Sequence, residues 1–173
     1  MARQLRDRGH RVAVVGEVLR EWCVREGRTP RPEEQLPIAQ EQERRVDEAA
    51  AGADIVIADT TALMTAIYSA MLFDDGELYQ FALARQRTYG LNLLTGLDLP
   101  WVADGLQRDG PQVREPVDAL VRQGLDKAGV GWRVVYGQGE QRTLNALEAV
   151  AAVAPWAWAV QASDEEIGRW SRL

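Results

Sequence analysis

The sequence of 173 residues predicts an α/β domain in which helices cover both faces of a parallel sheet. Short runs rich in valine, isoleucine and leucine alternate with longer stretches whose apolar residues recur at helical spacing. Strands that are separated by helices pair in parallel, and ligands bind beyond the carboxyl ends of such strands. We therefore expect functional residues directly after the predicted strands.

Four segments have the composition of buried parallel strands: residues 10–16, 54–59, 91–97 and 132–136. The predicted helices cover residues 17–26, 32–51, 60–73, 77–88, 116–129 and 140–153, and residues 1–9 are expected to end an earlier helix at Gly9. The remaining residues, 155–173, form a tail that contains Trp156, Trp158 and Trp170.

The composition excludes several classes of site. A single cysteine, Cys23, rules out an internal disulfide and any multi-cysteine zinc site, and we expect this side chain in the core. The sole histidine, His10, precedes a strand and is expected to be structural or solvated. The net charge of −6 disfavours nonspecific binding to nucleic acid. The only lysine, Lys127, follows Asp126, so the sequence contains no Gly-Lys-Ser/Thr phosphate-binding loop.

No apolar run approaches the roughly 20 residues that span a bilayer, so we expect no membrane association. The start of the chain has no apolar segment of the secretory type. A cytoplasmic protein is the resulting expectation.

Two acids lie where strands are predicted to end. Asp59 closes a hydrophobic strand, and a single carboxylate beside phosphates suits Mg²⁺; alternatively, it caps the helix that begins at Thr60 and Thr61. Glu17 follows the first strand, with Arg20 on the same helical face. It can orient or deprotonate an attacking hydroxyl, or it is a capping acid in a surface ion pair.

The loop of residues 100–114 combines cationic and flexible residues. It contains Trp101, Asp104, Arg108 and Arg114 together with Gly105 and Gly110. Arginines on a closing lid supply positive charge around a transferred phosphoryl group and exclude water. The alternative is an ordinary long surface loop.

Four segments resemble those of a known family in the same order: GEVLRE (16–21), IAQEQ (38–42), ADIVIADTTALMT (53–65) and PWVADGL (100–106). The chain resembles the NadR-type ribosylnicotinamide kinase domain of the P-loop NTPase superfamily over almost the whole domain. The resemblance implies a three-layer P-loop-kinase-like fold over residues 1–154, followed by the tryptophan-containing tail.

The resemblance also implies a function. Such kinases use ATP and Mg²⁺ to phosphorylate the 5′-hydroxyl of nicotinamide riboside, so a nucleoside-like small molecule is the expected partner. Glu17, Asp59 and Arg114 would be catalytic, with Asp59 also serving the metal. Arg20, Trp101 and Asp104 would bind the substrate, whereas Arg108 and Arg114 would bind the nucleotide.

The chain departs from this family at four places. The first strand and its phosphate-binding loop are missing, Thr61 replaces the second acid of Asp-Thr-Asp, Gly16 replaces an aromatic residue, and Gln107 replaces an arginine. We expect the missing strand to lie between the strands that end at Glu17 and Asp59. We also expect the chain as given to be inactive, and to be a fragment or the product of a misassigned start codon.

Two other classes of function remain open. The chain can be a non-catalytic binding or regulatory module, because it has no phosphate-binding loop and its tail is rich in tryptophan. It can also be a regulatory ATPase or GTPase that has no small-molecule acceptor. Whether this chain is an enzyme is therefore left undecided by the sequence.

Overall fold

Helices and short strands alternate along the chain in a computed structural model, which describes residues 1–72, 76–102 and 110–157. The elements of these ranges are α1 (Ala2–Arg6), β1 (Val12–Val15), α2 (Val18–Glu26), α3 (Pro32–Ala50), β2 (Ile55–Ala58), α4 (Ala62–Leu72), α5 (Gly76–Gln86), β3 (Asn92–Thr95), α6 (Arg114–Ala128), β4 (Trp132–Val135) and α7 (Gly139–Val153). Every predicted strand and helix is present, with ends shifted by a few residues. Within these ranges, no helix combines the length and the apolar character needed to cross a membrane.

The four described strands form two separate parallel pairs. Strand β1 pairs with β2, from Val12 opposite Ile55 onwards, and β3 pairs with β4, from Asn92 opposite Trp132. The parallel α/β prediction is confirmed, since helices separate the strands of each pair. A single three-layer sheet stays a prediction, because the described strands form two sheets.

The expected place of the missing strand is wrong. Strands β1 and β2 bond directly to each other, and just beyond them the Asp59 N–H donates to the carbonyl oxygen of Val15 at 2.8 Å. These bonds occupy the facing edges of both strands, so no strand fits between those that lead to Glu17 and Asp59. An added strand would have to pair at one of the other edges of the two sheets.

The two strand pairs are covered by different apolar clusters. The larger cluster joins α3, α4, α5 and α6, includes the fully buried Leu78 and Ala82, and contacts Leu94 of β3 and Trp132 of β4. A smaller cluster packs Leu5 of α1 and Leu147 of α7 against Val12, Ile55 and Ile57. A third cluster joins α2 to α3 through Val18, Leu19, Cys23 and Ile38, so Cys23 is buried as predicted.

The chain around His10 packs against the beginning of the tail. Helix α1 ends at Arg6 rather than at Gly9, which takes a φ of 90° in the turn that follows. His10 is buried, and its Nε2 lies 3.0 Å from the carbonyl oxygen of Ala157. The histidine therefore has a structural contact. The division of the chain at residue 155 stays a prediction, and residues 158–173 lie outside the described ranges.

Candidate functional site

The structure places Glu17 and Asp59 side by side at the carboxyl end of the β1–β2 sheet. Val15, the last residue of β1, pairs with Ala58, the last residue of β2. Asp59 follows Ala58 directly, and Glu17 follows Val15 by two residues. Because the strands are parallel and in this register, the two acidic loops leave the sheet side by side.

Asp59 is exposed, and its carboxylate makes no hydrogen bond or ion pair with a described residue. Other groups cap helix α4, which begins three residues later. Glu43 accepts a hydrogen bond from the Ala62 N–H at 2.9 Å, and the Thr61 hydroxyl accepts one from the Leu63 N–H at 3.3 Å. The alternative in which Asp59 caps this helix is therefore wrong, and its oxygens are open to a hard cation.

Glu17 forms the predicted ion pair with Arg20. The Arg20 Nε donates to the Glu17 carboxylate at 3.1 Å, and the Glu17 side chain is 12% exposed. Although Glu17 occupies the N-cap position of α2, its side chain does not cap that helix. The Val18 N–H instead donates to the side-chain oxygen of Gln42 at 2.9 Å. The predicted ion pair of Glu17 with Arg20 is confirmed. The prediction that Glu17 caps α2 is wrong.

Sequence reasoning missed the two residues that cap these helices, Gln42 and Glu43. Both lie on α3 and each is only 3% exposed. Both polar side chains lie among the apolar positions Ile38, Ala39 and Val46 of α3, so helical spacing could have placed them on its buried face. Only the fold reveals which backbone groups they bind.

A hydrogen-bond network fixes the Glu43 carboxylate in the interior. Its second oxygen accepts hydrogen bonds from the Arg85 Nε and from the Tyr89 hydroxyl, both at 3.0 Å. Arg85 also bonds Asp47 at 2.6 Å, and this bond raises the pKa of the guanidinium. Burial raises the pKa of Tyr89 far above its usual value, and the negative charge of Glu43 adds to the shift. The network joins α3 to α5 next to the first residue of α4, which follows the Asp59 loop.

The residue after Asp59 has an unusual backbone conformation. Thr60 takes a φ of 65°, in the left-handed region that β-branched residues avoid, at a cost of about 1–3 kcal/mol. The next residue is held, since the Thr61 hydroxyl donates to the Gln86 side-chain oxygen at 2.8 Å. Such strain persists only where the surroundings over-determine the conformation, which is typical of functional turns.

The carboxyl end of the other sheet is closed by Asp98. This carboxylate accepts a hydrogen bond from the Gly137 N–H at 2.7 Å and forms an ion pair with Arg142. The Gly137 bond holds the pKa of Asp98 below its usual range, and the charge of Arg142 acts in the same direction. Asp98 therefore joins the ends of β3 and β4.

The predicted lid is only partly within the described residues. Arg114 is the first residue of α6, donates to the Leu97 carbonyl oxygen at 3.3 Å, and has no ion pair with a described residue. The indole N–H of Trp101 is buried and has no acceptor in the described ranges. Asp104 and Arg108 lie outside these ranges, so the lid as a whole stays a prediction.

A concavity of about 470 Å³ lies elsewhere, at the amino end of β1, where Arg6, His10, Arg11 and Gly52 line it. It is open and lies at the opposite end of the strand from Glu17. The candidate site is therefore placed by the two acidic loops at the carboxyl end of β1–β2, and not by this concavity. The described residues contain no group of three or more His, Cys, Asp or Glu side chains that could hold a metal.

Comparison with known families decides the wider class. The family model described as AAA domain matches residues 1–142, from α1 into α7, which is more than half of the chain. The chain belongs to the AAA domain family. The match supports a P-loop NTPase-like, nucleotide-binding function for this AAA domain. No curated protein matches the chain.

AAA domains typically bind a nucleotide together with Mg²⁺. The open carboxylate of Asp59 fits a Mg²⁺ ion, which prefers oxygen ligands and keeps several waters. The phosphate end fits less well, since the only lysine of this AAA domain is Lys127, whose Nζ lies 5.4 Å from the ring centroid of Tyr79. The 173 residues therefore offer an exposed carboxylate and contain no Gly-Lys-Ser/Thr lysine.

Proposed function

We propose that this AAA domain is an ATP-dependent small-molecule kinase domain, in which the described residues serve the acceptor and the metal. The acceptor is the hydroxyl of a nucleoside-like small molecule, with nicotinamide riboside as the first candidate. The observation that carries the proposal is that two acidic loops lie side by side at the carboxyl end of one sheet. Neither Glu17 nor Asp59 caps the helix that follows it.

Each candidate residue has a role in this proposal. Asp59 holds Mg²⁺, which when bound neutralises charge on the phosphate oxygens. Glu17 orients or deprotonates the acceptor hydroxyl, and Arg20 holds the Glu17 carboxylate while facing the substrate. Arg114 places positive charge beside the transferred group, at the carboxyl end of the second sheet.

The remaining roles concern the loop that follows β3. Trp101 and Asp104 bind the acceptor, and Arg108 joins Arg114 at the nucleotide. These assignments rest on the resemblance of PWVADGL (100–106) to the NadR-type lid.

The absence of a phosphate-binding loop limits the rate of phosphoryl transfer that these 173 residues can support. Phosphoryl transfer depends almost entirely on positioning and electrostatic stabilisation. A phosphate-binding loop supplies several backbone N–H groups and a lysine, so its loss exceeds that of one oxyanion donor, about 2.7–4 kcal/mol. We therefore expect phosphoryl transfer to need a phosphate-binding loop in addition to the groups that these 173 residues supply.

The test measures ATP-dependent phosphorylation of nicotinamide riboside by the protein from the complete reading frame. Asp59→Asn and Arg114→Ala are each expected to lower kcat by about 100-fold, because each removes charge from the transferring group. The matched control is Arg87→Ala, since Arg87, which precedes β3, donates to the carbonyl oxygen of Ala128, which precedes β4, so this bond lies before the amino ends of those strands. Unchanged rates in both site variants would contradict the assigned roles.

A non-catalytic binding module is the second candidate, favoured because the only lysine, Lys127, lies in α6 beside the Tyr79 ring and belongs to no phosphate-binding loop. Isothermal titration of the 173-residue protein with Mg-ATP separates the two. Binding at micromolar strength contradicts the binding module. Hydrolysis of ATP or GTP without any acceptor would point instead to a regulatory NTPase.

A further inference from the structure

Two adjacent residues of α3 accept hydrogen bonds from the helices that follow the two acidic loops. Gln42 bonds the first residue of α2, which follows Glu17, and Glu43 bonds the first residue of α4, which follows the Asp59 turn. We propose that Gln42 and Glu43 are positioning residues that hold Glu17 and Asp59 in their working arrangement. This inference rests on the proposed function, in which those two acids serve the acceptor and the metal.

Gln42 replaces a local cap at the start of α2. The first N–H groups of a helix have no partner within the helix and need an acceptor. Glu17 sits at the N-cap position, where a side-chain oxygen usually serves, yet the Val18 N–H donates to Gln42 at 2.9 Å. Both Val18 and Gln42 are buried, so the bond is shielded from water. The Glu17 carboxylate is thereby spared from capping.

Glu43 does the same at the start of α4. One oxygen accepts from the Ala62 N–H at 2.9 Å, and the other is fixed by Arg85 and Tyr89. Its negative charge also suits the positive end of the α4 dipole. The Asp59 carboxylate, three residues earlier, consequently makes no bond with a described residue.

The two caps are coupled because they come from consecutive residues. Side chains at neighbouring helical positions point about 100° apart, so Gln42 and Glu43 diverge towards different helices. Helix α3 packs against both α2 and α4. The left-handed Thr60, at a φ of 65°, needs such support, because the strained turn would otherwise relax and carry Asp59 with it.

The run Gln40-Glu41-Gln42-Glu43 supplies matched controls, since Gln40 is exposed and Glu41 pairs with Arg44 and Arg45 on the outer face of α3. Kinetics use the protein from the complete reading frame. Glu43→Met is expected to raise the Mg²⁺ midpoint by about tenfold or more, as loss of a supporting partner does at metal sites. Gln42→Met is expected to lower kcat/KM for the acceptor by about tenfold, because Glu17 is misplaced.

Gln42→Glu keeps an acceptor oxygen for the Val18 N–H and is expected to restore acceptor kinetics close to the wild type. Gln40→Met and Glu41→Met are expected to change neither parameter. If the variants at positions 42 and 43 change only the fraction of folded protein, apparent kcat falls while the Mg²⁺ midpoint and the KM for the acceptor keep their wild-type values, and the inference is overturned. Glu43→Gln covers the case in which Glu43→Met does not fold.

A second readout needs no activity. Backbone amide signals of the 173-residue protein are recorded by NMR, where Gln42→Met should shift those of Gly16 and Glu17, and Glu43→Met those of Asp59 and Thr60. Signals that stay in place overturn the inference. Shifted signals in a protein that phosphorylates no nucleoside-like acceptor would leave the positioning role standing and refute the proposed function instead.

Discussion

Aspartate side chains join the two parallel strand pairs at opposite ends. In the β1–β2 pair this link is at the amino end, where the Arg11 backbone N–H donates to Asp54 at 2.8 Å and its guanidinium bonds the same carboxylate at 2.6 Å. In the β3–β4 pair it is at the carboxyl end, where Asp98 joins Gly137 and Arg142.

The difference separates aspartates that join strands from one that does not. Asp54 precedes a strand, whereas Asp59 and Asp98 each follow one, and the sequence alone does not distinguish Asp59 from Asp98. Two of them are engaged in joining strands, whereas Asp59 is supported only through its backbone and its neighbours. The open carboxyl end of β1–β2 is therefore the end at which we propose that a ligand meets acidic groups.

The largest expected effect is a loss of stability on truncating the apolar clusters that cover the two strand pairs. Leu78→Ala opens a cavity in the larger cluster and is expected to lower the free energy of unfolding by about 4 kcal/mol. Leu147→Ala, in the smaller cluster on β1–β2, is expected to cost about 2.5 kcal/mol, because fewer buried neighbours surround it. Urea unfolding measures both. A larger loss for Leu147→Ala would reverse this ranking of the two halves.

The next effect compares the two aspartates directly. Asp98→Asn is expected to lower the melting temperature, because it weakens the bond to Gly137 and removes the charge that faces Arg142. Asp59→Asn is expected to leave it unchanged, since that carboxylate has no bond with a described residue to lose. Thermal unfolding by circular dichroism at neutral pH checks the pair. Equal shifts would remove the distinction between a closed and an open end.

The smallest effect is a pH dependence of the link at the amino end of β1–β2. The Arg11 guanidinium and backbone N–H lower the pKa of Asp54 from 3.8 to about 2. Because the folded pKa lies below the unfolded one, the stabilisation is full above pH ~4 and is lost as the pH falls through about 2. The difference in melting temperature between wild type and Asp54→Asn should therefore shrink over that window. A difference that stays constant down to pH ~2 would contradict this role.

Local patterns predicted much of this protein. Runs rich in valine and isoleucine predict β1 and β2, and the acids after them are candidates on the sequence alone. The strand order was not predictable in the same way, because pairing joins residues far apart in sequence, and the expected strand between β1 and β2 proved wrong. Gln42 and Glu43 escaped notice for the same reason, since their partners lie 24 and 19 residues away.

The sequence by itself determined the alternation of helices and strands, the buried faces and the residue types available for chemistry. These properties follow from side-chain periodicity and composition, which act over a few residues. Only the tertiary structure decided which strands pair, which aspartates are engaged and which side chains cap α2 and α4. The physical reason is that a hydrogen bond or ion pair needs its partner within about 3 Å, and the fold alone brings distant residues that close.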